Sequence, residues 1–147
     1  MNLEKVLEKQ TGLELPYAVY GTLRSGEGNS RLWQGLARSG GLSTLRGYRL
    51  VSNGGFPYAL FAGPKSEITV EAVVPNGDEA SQFELRRRLD RLEGYPDFYD
   101  RYLETVVVEG APQECWIYVP SSDHEELGKY PQVPNNDWKN KGEVKWD

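Results

Sequence analysis

The chain centres on the stretch Tyr17-Ala18-Val19-Tyr20-Gly21-Thr22-Leu23-Arg24-Ser25-Gly26, where an aromatic and β-branched run meets a loop bounded by glycines. Such a run is typical of a β-strand, and the glycine predicts that the strand ends in a turn. Because Gly21 has no β-carbon, successive backbone N–H groups can point out of the loop and bind an oxyanion or a carboxylate. The alternative is an ordinary Gly-Thr turn that binds nothing.

Two nucleotide-binding motifs are excluded at this loop. Gly21 and Gly26 have the spacing of a Walker A loop, but Glu27-Gly28 follow where that motif requires Lys and then Ser or Thr. The G-x-G-x-x-G pattern of dinucleotide-binding folds is also absent at this turn. The loop is therefore not a phosphate cradle of either kind.

Length and charge limit the class of protein. A chain of 147 residues has the size of one domain, so we expect a single domain over residues 1–147. The net charge of −5 argues against a broad phosphate-binding surface, and we expect no nucleic-acid partner. The composition becomes polar after Pro120, which predicts an extended tail from about residue 121. Aromatic and apolar residues should hold part of that tail on the surface: Tyr130, Val133, Trp138 and Trp146.

The chain offers few groups for metal or thiol chemistry. Cys115 is the only cysteine, so neither an internal disulfide nor a thiolate metal cluster can form. Its apolar neighbours favour a small buried side chain over a nucleophile. His124 is the only histidine and has no partner at metal-ligand spacing, and a Ser-His-Asp triad built on it is a weaker alternative. We expect no metal and no cofactor.

The N-terminal segment predicts a helix and no export signal. Leu3, Val6 and Leu7 have helical spacing, and charged residues between them interrupt any apolar core of a secretory signal. No apolar run in the chain is long enough to span a bilayer. We expect a soluble, cytoplasmic protein with no membrane partner.

The rest of the chain alternates strand patterns with two helix patterns. Asn29 is a good N-cap for a two-turn helix that carries Leu32, Trp33 and Leu36. The most regular helix pattern covers residues 81–93 and ends at Gly94. Its arginines, 86–88 and 91, are interpreted as a solvated face. Strand patterns cover residues 42–52, 58–61, 68–74, 102–108 and 114–119, with hairpins expected at residues 53–57 and 109–112.

Glu93 is the strongest candidate for chemistry. Residues four and three positions earlier are Leu89 and Asp90, so no cation stands ready for an ordinary helical ion pair. Glu93 lies about 40° around the helix from Leu89, at the border of the apolar stripe. Partial burial and the negative end of the helix dipole should both raise its pKa, which suits general acid-base catalysis. The alternative is a side chain that extends to water.

Two motifs, in this order, resemble the γ-glutamylcyclotransferase-like family, which includes γ-glutamylamine cyclotransferases and AIG2-like proteins. Val19-Tyr20-Gly21-Thr22-Leu23-Arg24 is similar to the family's substrate loop, and Leu89-Asp90-Arg91-Leu92-Glu93-Gly94-Tyr95-Pro96 is similar to the end of its catalytic helix. Tyr99 and Arg101 resemble the Y-x-R that follows. The chain departs from the family at Val70-Glu71-Ala72-Val73, where Gly-Glu-x-aromatic is common.

The resemblance implies a fold, a site and a reaction. The fold is α+β, a mixed and partly closed β-barrel with flanking helices. Glu93 would be the catalytic acid-base residue, and Tyr20, Gly21, Thr22, Leu23 and Tyr99 would bind the substrate, while Trp116 lines the pocket or belongs to the core. The implied enzyme is an amine-releasing lyase or transferase without cofactor or metal. It would act on a γ-glutamyl amine or peptide and release 5-oxoproline. The alternative is a non-catalytic protein that binds a small acid or a γ-glutamyl compound on the same fold.

Overall fold

The computed structural model describes residues 11–121 and 125–143. The predicted first helix and the predictions for His124 and Trp146 lie outside the described residues. The described part contains seven strands and one α-helix. They are β1 (Tyr17–Val19), β2 (Ala37–Arg46), β3 (Tyr48–Ser52), β4 (Pro57–Phe61), β5 (Glu67–Pro75), α1 (Glu79–Glu93), β6 (Tyr99–Val108) and β7 (Ala111–Pro120).

Five strands form a mixed sheet in the order β2-β5-β1-β7-β6, and β3 and β4 form a separate antiparallel pair. The short β1 lies in the middle, antiparallel to β5 and parallel to β7. The edge strands β2 and β6 approach each other without pairing, so the barrel is not closed. The expected α+β fold with a mixed, partly closed barrel is confirmed.

Both predicted hairpins are present. β3 pairs with β4 from Tyr48↔Phe61 to Ser52↔Pro57, around the turn at residues 53–56. β6 pairs with β7 up to Val108↔Ala111, and the two residues between them, Glu109 and Gly110, have φ of 52° and 87°. Two positive φ values match the twist of a tight hairpin, which explains the glycine.

The predicted two-turn helix after the first loop is wrong. The chain forms only a 3-10 turn at Ser30–Leu32, and Asn29 makes no side-chain cap. Instead, the Asn29 amide donates to the Thr22 hydroxyl over 2.8 Å, and its backbone N–H donates to the Thr22 carbonyl over 2.9 Å. These bonds close the loop on itself, which competes with helix formation.

Helix α1 begins two residues before its predicted start and ends where predicted. The Asp78 carboxylate accepts the N–H of Ser81 over 2.9 Å, which caps the N-terminus. Gly94 ends the helix with φ 69°, in the left-handed region. Leu85 and Leu89 are fully buried, but Arg86 is 1% exposed. The interpretation of the arginines at 86–88 and 91 as a solvated face is therefore wrong for Arg86.

Apolar side chains fill both faces of the sheet. One cluster lies between the sheet and the β3–β4 pair, and the other lies beneath α1. Segment 125–143 forms 3-10 turns and contributes Leu127, Val133 and Trp138, all buried, to these clusters. Trp138 is 1% exposed, so it anchors the segment in the core and not merely on the surface. No helix in the described part has both the length and the hydropathy to cross a membrane.

Candidate active site

The loop after β1 and the end of α1 face one hollow. Its walls come from the end of β1, the start of β4, the end of α1 and the start of β6. Every residue predicted for catalysis or substrate binding lines this hollow, together with Phe56, Pro57 and Tyr118: Tyr20, Gly21, Thr22, Leu23, Glu93 and Tyr99. The fold therefore brings together two segments that are seventy residues apart in the chain.

The hollow has an inner and an outer part. The inner chamber has a volume of about 40 Å³ and lies against the Gly21–Leu23 loop. The outer cleft has a volume of about 450 Å³ and opens past the end of α1. Thr22, Phe56, Glu93 and Tyr99 line both, so these residues stand where the two spaces meet.

The Gly21–Leu23 loop, which lines the inner chamber, has two backbone donors without an acceptor. Within the described residues, no hydrogen-bond acceptor is paired with the N–H of Thr22 or Leu23. The carbonyl groups are occupied: that of Gly21 accepts the Arg24 N–H over 2.9 Å, and that of Leu23 accepts the Trp33 indole over 2.7 Å. Free N–H groups beside occupied carbonyls suit an anionic oxygen.

Glu71 and Asp137 hold this loop from two sides. Glu71, on β5, accepts the Ser25 N–H over 2.7 Å, and it also accepts the hydroxyl groups of Ser25 and Ser39. Burial raises the pKa of Glu71, but these hydrogen bonds outweigh it and the net shift is downward. On the other side, Arg24 forms a 2.6 Å ion pair with Asp137 of the C-terminal segment. The loop conformation is therefore fixed by buried polar contacts.

Glu93 carries the perturbed carboxyl group of the site. It is the last residue of α1, and its carboxyl group is surrounded by protein while part of the side chain meets the hollow. No described residue forms an ion pair or a hydrogen bond with it. Burial alone raises its pKa to about 8, in the expected direction. A carboxyl group with this pKa can both take and give a proton near neutral pH.

Tyr20 and Tyr99 stand beside Glu93 as neutral phenols. The Tyr20 hydroxyl donates to the Tyr118 carbonyl over 2.7 Å. Burial raises the pKa of Tyr20 well above its usual value, and the nearby Glu93 adds to that effect. Burial likewise raises the pKa of Tyr99, with further contributions from Tyr20 and Glu93. Neither group can serve as a phenolate base at neutral pH, and the single hydroxyl hydrogen of Tyr20 is already donated to Tyr118.

A buried polar network supports the wall formed by Tyr118. The Tyr118 hydroxyl donates to Asp90 over 2.5 Å, and Arg101 lies 3.0 Å from the same carboxylate oxygen. The Arg101 guanidinium stacks on the Tyr95 ring at 4.0 Å and on Trp116 at 5.1 Å. Trp116 therefore packs against the arginine and does not line the hollow.

Sequence reasoning missed this network. The helix pattern assigns Arg86 to a solvated face and gives no role to Asp90, yet the two residues are 1% and 7% exposed. Each directly follows a buried leucine, Leu85 or Leu89, so the pair runs beside the apolar stripe. A charged side chain beside the apolar stripe can point to solvent or into the protein. Aromatic partners from other elements, such as Tyr17 for Arg86, decide between these two directions.

The described residues offer no site for metal or thiol chemistry. No group of three or more His, Cys, Asp or Glu residues within residues 11–121 and 125–143 is arranged to hold a metal ion. Cys115 is fully buried, and burial raises the pKa of its thiol to about 11. A thiol that stays protonated is a poor nucleophile.

A family model and a protein relative both match this chain. Residues 17–140 match the family model described as gamma-glutamyl cyclotransferase, AIG2-like. Over 109 residues the chain is 35% identical to the Drosophila melanogaster protein named "Putative gamma-glutamylcyclotransferase CG2811". That alignment covers 69% of this chain and 66% of the relative, so the chain spans just under two thirds of the relative's length.

Solved structures share the fold. An AIG2-like protein from Mus musculus has a TM-score of 0.68 at 21% identity, with 90% of this chain and 95% of that chain covered. The protein ytfP from Escherichia coli has a TM-score of 0.58 at 25% identity, with 84% and 96% covered.

Proposed function

The chain belongs to the gamma-glutamyl cyclotransferase, AIG2-like family, and from this premise we propose that it cyclises a γ-glutamyl amine or peptide to 5-oxoproline and releases the free amine. The observation that carries the proposal is the position of Glu93. Glu93, whose carboxyl pKa is raised to about 8, lines the same hollow as Thr22 and Leu23, and the N–H groups of those two residues have no acceptor among the described residues.

The reaction needs two reacting groups of the same molecule to meet. The substrate's α-amino nitrogen attacks its γ-carbonyl carbon, a new C–N bond closes the five-membered ring, and the original amide C–N bond breaks. Holding the chain in a near-attack shape contributes as much as roughly 7–11 kcal/mol in favourable cases. In this proposal the Gly21–Leu23 loop holds the glutamyl end through its backbone N–H groups. The Tyr20 hydroxyl, whose hydrogen is donated to Tyr118, contacts the substrate through its oxygen.

Glu93 would move the proton. The attacking nitrogen is an ammonium group in solution and must lose a proton before it can attack. The ionised Glu93 carboxyl group accepts this proton and then delivers it to the departing nitrogen. The attacking nitrogen loses two protons in all, one before the attack and one as the ring amide forms. The departing nitrogen gains two when it leaves as an ammonium group, so protons and charge balance and no co-reactant is required. The Thr22 and Leu23 N–H groups would stabilise the negative oxygen of the tetrahedral intermediate.

A product assay tests the proposal. The protein is incubated with a panel of γ-glutamyl amines and dipeptides, and 5-oxoproline is quantified by chromatography with mass detection. We expect 5-oxoproline and the free amine in equal amounts from at least one member. Binding of γ-glutamyl compounds without any 5-oxoproline would contradict the enzyme proposal and favour the non-catalytic binding protein.

A further inference from the structure

The outer cleft limits what the departing amine can be. Glu93 must reach the nitrogen that leaves, and it stands between the inner chamber and the outer cleft. The inner chamber, at about 40 Å³, is about a tenth of the size of the outer cleft and has no room for a leaving group. The group attached to the leaving nitrogen therefore lies in the outer cleft, whose volume is about 450 Å³.

Four aromatic rings line that cleft: those of Phe56, Tyr58, Phe98 and Tyr99. The Phe56 and Tyr58 ring centroids are 5.1 Å apart, and those of Tyr58 and Phe98 are 6.3 Å apart. Phe56 is 45% exposed, so part of its ring remains accessible in the cleft that it lines. Centroid separations of about 4.5–7 Å are those of favourable aromatic pairs, so a further ring can join the group.

The charge of the cleft discriminates between classes of amine. Arg91 and Glu93 are the charged side chains that line it within the described residues. Arg91 is exposed and has no ion pair with another described residue, while Glu93 is assigned to proton transfer. A carboxylate on the leaving group would pair with the Arg91 guanidinium. A second ammonium group would find no carboxylate in the cleft except that of Glu93, which is assigned to proton transfer.

We propose that the outer cleft receives an aromatic α-amino acid, so that the substrate is a γ-glutamyl dipeptide whose second residue carries an aromatic ring. This inference rests on the proposed function. The ring packs among Phe56, Tyr58 and Phe98, and the α-carboxylate of the second residue faces Arg91. Cyclisation then yields 5-oxoproline and the free aromatic amino acid, with the amide nitrogen protonated through Glu93.

Four substrates test the inference with the unmodified protein: γ-glutamyl-phenylalanine, γ-glutamyl-alanine, γ-glutamyl-phenylalaninamide and the γ-glutamyl derivative of a diamine. We expect kcat/KM for the phenylalanine dipeptide to exceed that for the alanine dipeptide by about tenfold or more, the range that apolar side-chain pockets achieve. The carboxamide should lose a few-fold, and the diamine derivative should be the poorest.

Variants assign the preference to the cleft. Phe56→Ala should lower the phenylalanine-to-alanine ratio, while Phe83→Ala, at the same 45% exposure but away from the cleft, should leave it unchanged. Arg91→Gln should remove the difference between the dipeptide and its carboxamide, and Arg46→Gln, on an exposed arginine of β2, should preserve it.

Two different failures can be told apart. Turnover of all four substrates without a preference for the ring, or a preference that Phe56→Ala leaves intact, overturns the inference and leaves the cyclotransferase proposal standing. No 5-oxoproline from any of the four and from the wider panel overturns the proposed function, and the inference falls with it.

Discussion

The ring of Pro57 lies 2.6 Å from the position that a β-carbon on Gly21 would occupy. This distance is shorter than any real carbon–carbon contact, so the loop and the start of β4 can pack this closely only around a glycine. Gly21 does not have a positive φ, in contrast to Gly26 in the same loop. The glycine is therefore required for close packing, and this contact forms one wall of the inner chamber.

Replacement of Gly21 should damage the site. In Gly21→Ala, the clash with Pro57 must separate the loop from β4, which costs about 1–3 kcal/mol in the free energy of unfolding. We expect a clear fall in kcat/KM as well, because the N–H groups of Thr22 and Leu23 move with the loop. Gly28→Ala is the matched control, since no atom lies within 4 Å of its β-carbon position. Equal effects of the two substitutions would contradict this account.

Glu93→Gln should abolish turnover while the fold is retained. The amide is nearly the same size but cannot accept the ammonium proton, so kcat should fall by about 10²–10⁴-fold. Binding of a γ-glutamyl compound, measured by calorimetry, should persist. Glu79→Gln, at the exposed start of the same helix, is the control and should keep full activity. Undiminished turnover in Glu93→Gln would remove this residue from the mechanism.

The pH dependence of turnover should report the pKa of Glu93. Its pKa is raised to about 8, so roughly a tenth of the carboxyl groups are ionised at pH 7. If the ionised form accepts the ammonium proton, kcat/KM should rise about tenfold per pH unit below pH 8 and level off above it. An acid limb with a midpoint near 4.5 in the unmodified protein would show that Glu93 does not act as this base.

The stability of the protein should fall as the pH rises from about 4.5 to 8. In that window the folded state keeps a proton on Glu93, whereas the unfolded chain, with the ordinary value of 4.5, has lost it. The free energy of unfolding should fall by at most about 5 kcal/mol, because each unit of pKa shift corresponds to about 1.4 kcal/mol.

Denaturant unfolding of the parent protein and of Glu93→Gln at pH 5 and pH 9 measures this effect. Glutamine does not titrate, so the variant should gain stability relative to the parent between the two pH values. A stability difference between the parent and Glu93→Gln that is the same at pH 5 and pH 9 would indicate that the Glu93 carboxyl group is solvated in the folded protein.

Glu71→Ala should loosen the loop after β1. The substitution leaves the Ser25 N–H and two hydroxyl groups without their acceptor, at a cost of about 2–3 kcal/mol in the free energy of unfolding. KM for the γ-glutamyl substrate should rise, because Ser25 lies two residues after the Gly21–Leu23 loop that would bind it. Glu114→Ala, on an exposed carboxylate of β7, is the control and should change neither quantity. Unchanged KM in Glu71→Ala would show that Arg24 and Asp137 suffice to hold the loop.

The sequence by itself determined the local elements and the main candidate residue. Alternation of apolar residues and the turn glycines specified the β3–β4 and β6–β7 hairpins, because strand pairing there depends only on neighbours in the chain. No cation lies three or four residues before Glu93 on its helix, and Glu93 lies at the border of the apolar stripe. These two features predicted the direction of its pKa shift.

Only the tertiary structure decided what surrounds these residues. Asn29 folds back onto Thr22 in place of capping a helix, Arg86 turns inward to Tyr17, and Trp138 enters the core from the C-terminal segment. In each case the deciding partner lies elsewhere in the fold or competes with a local preference. The inner chamber and the outer cleft likewise exist only where α1, β4 and the loop after β1 meet. The shape of a cavity depends on distances between elements, which no local sequence pattern encodes.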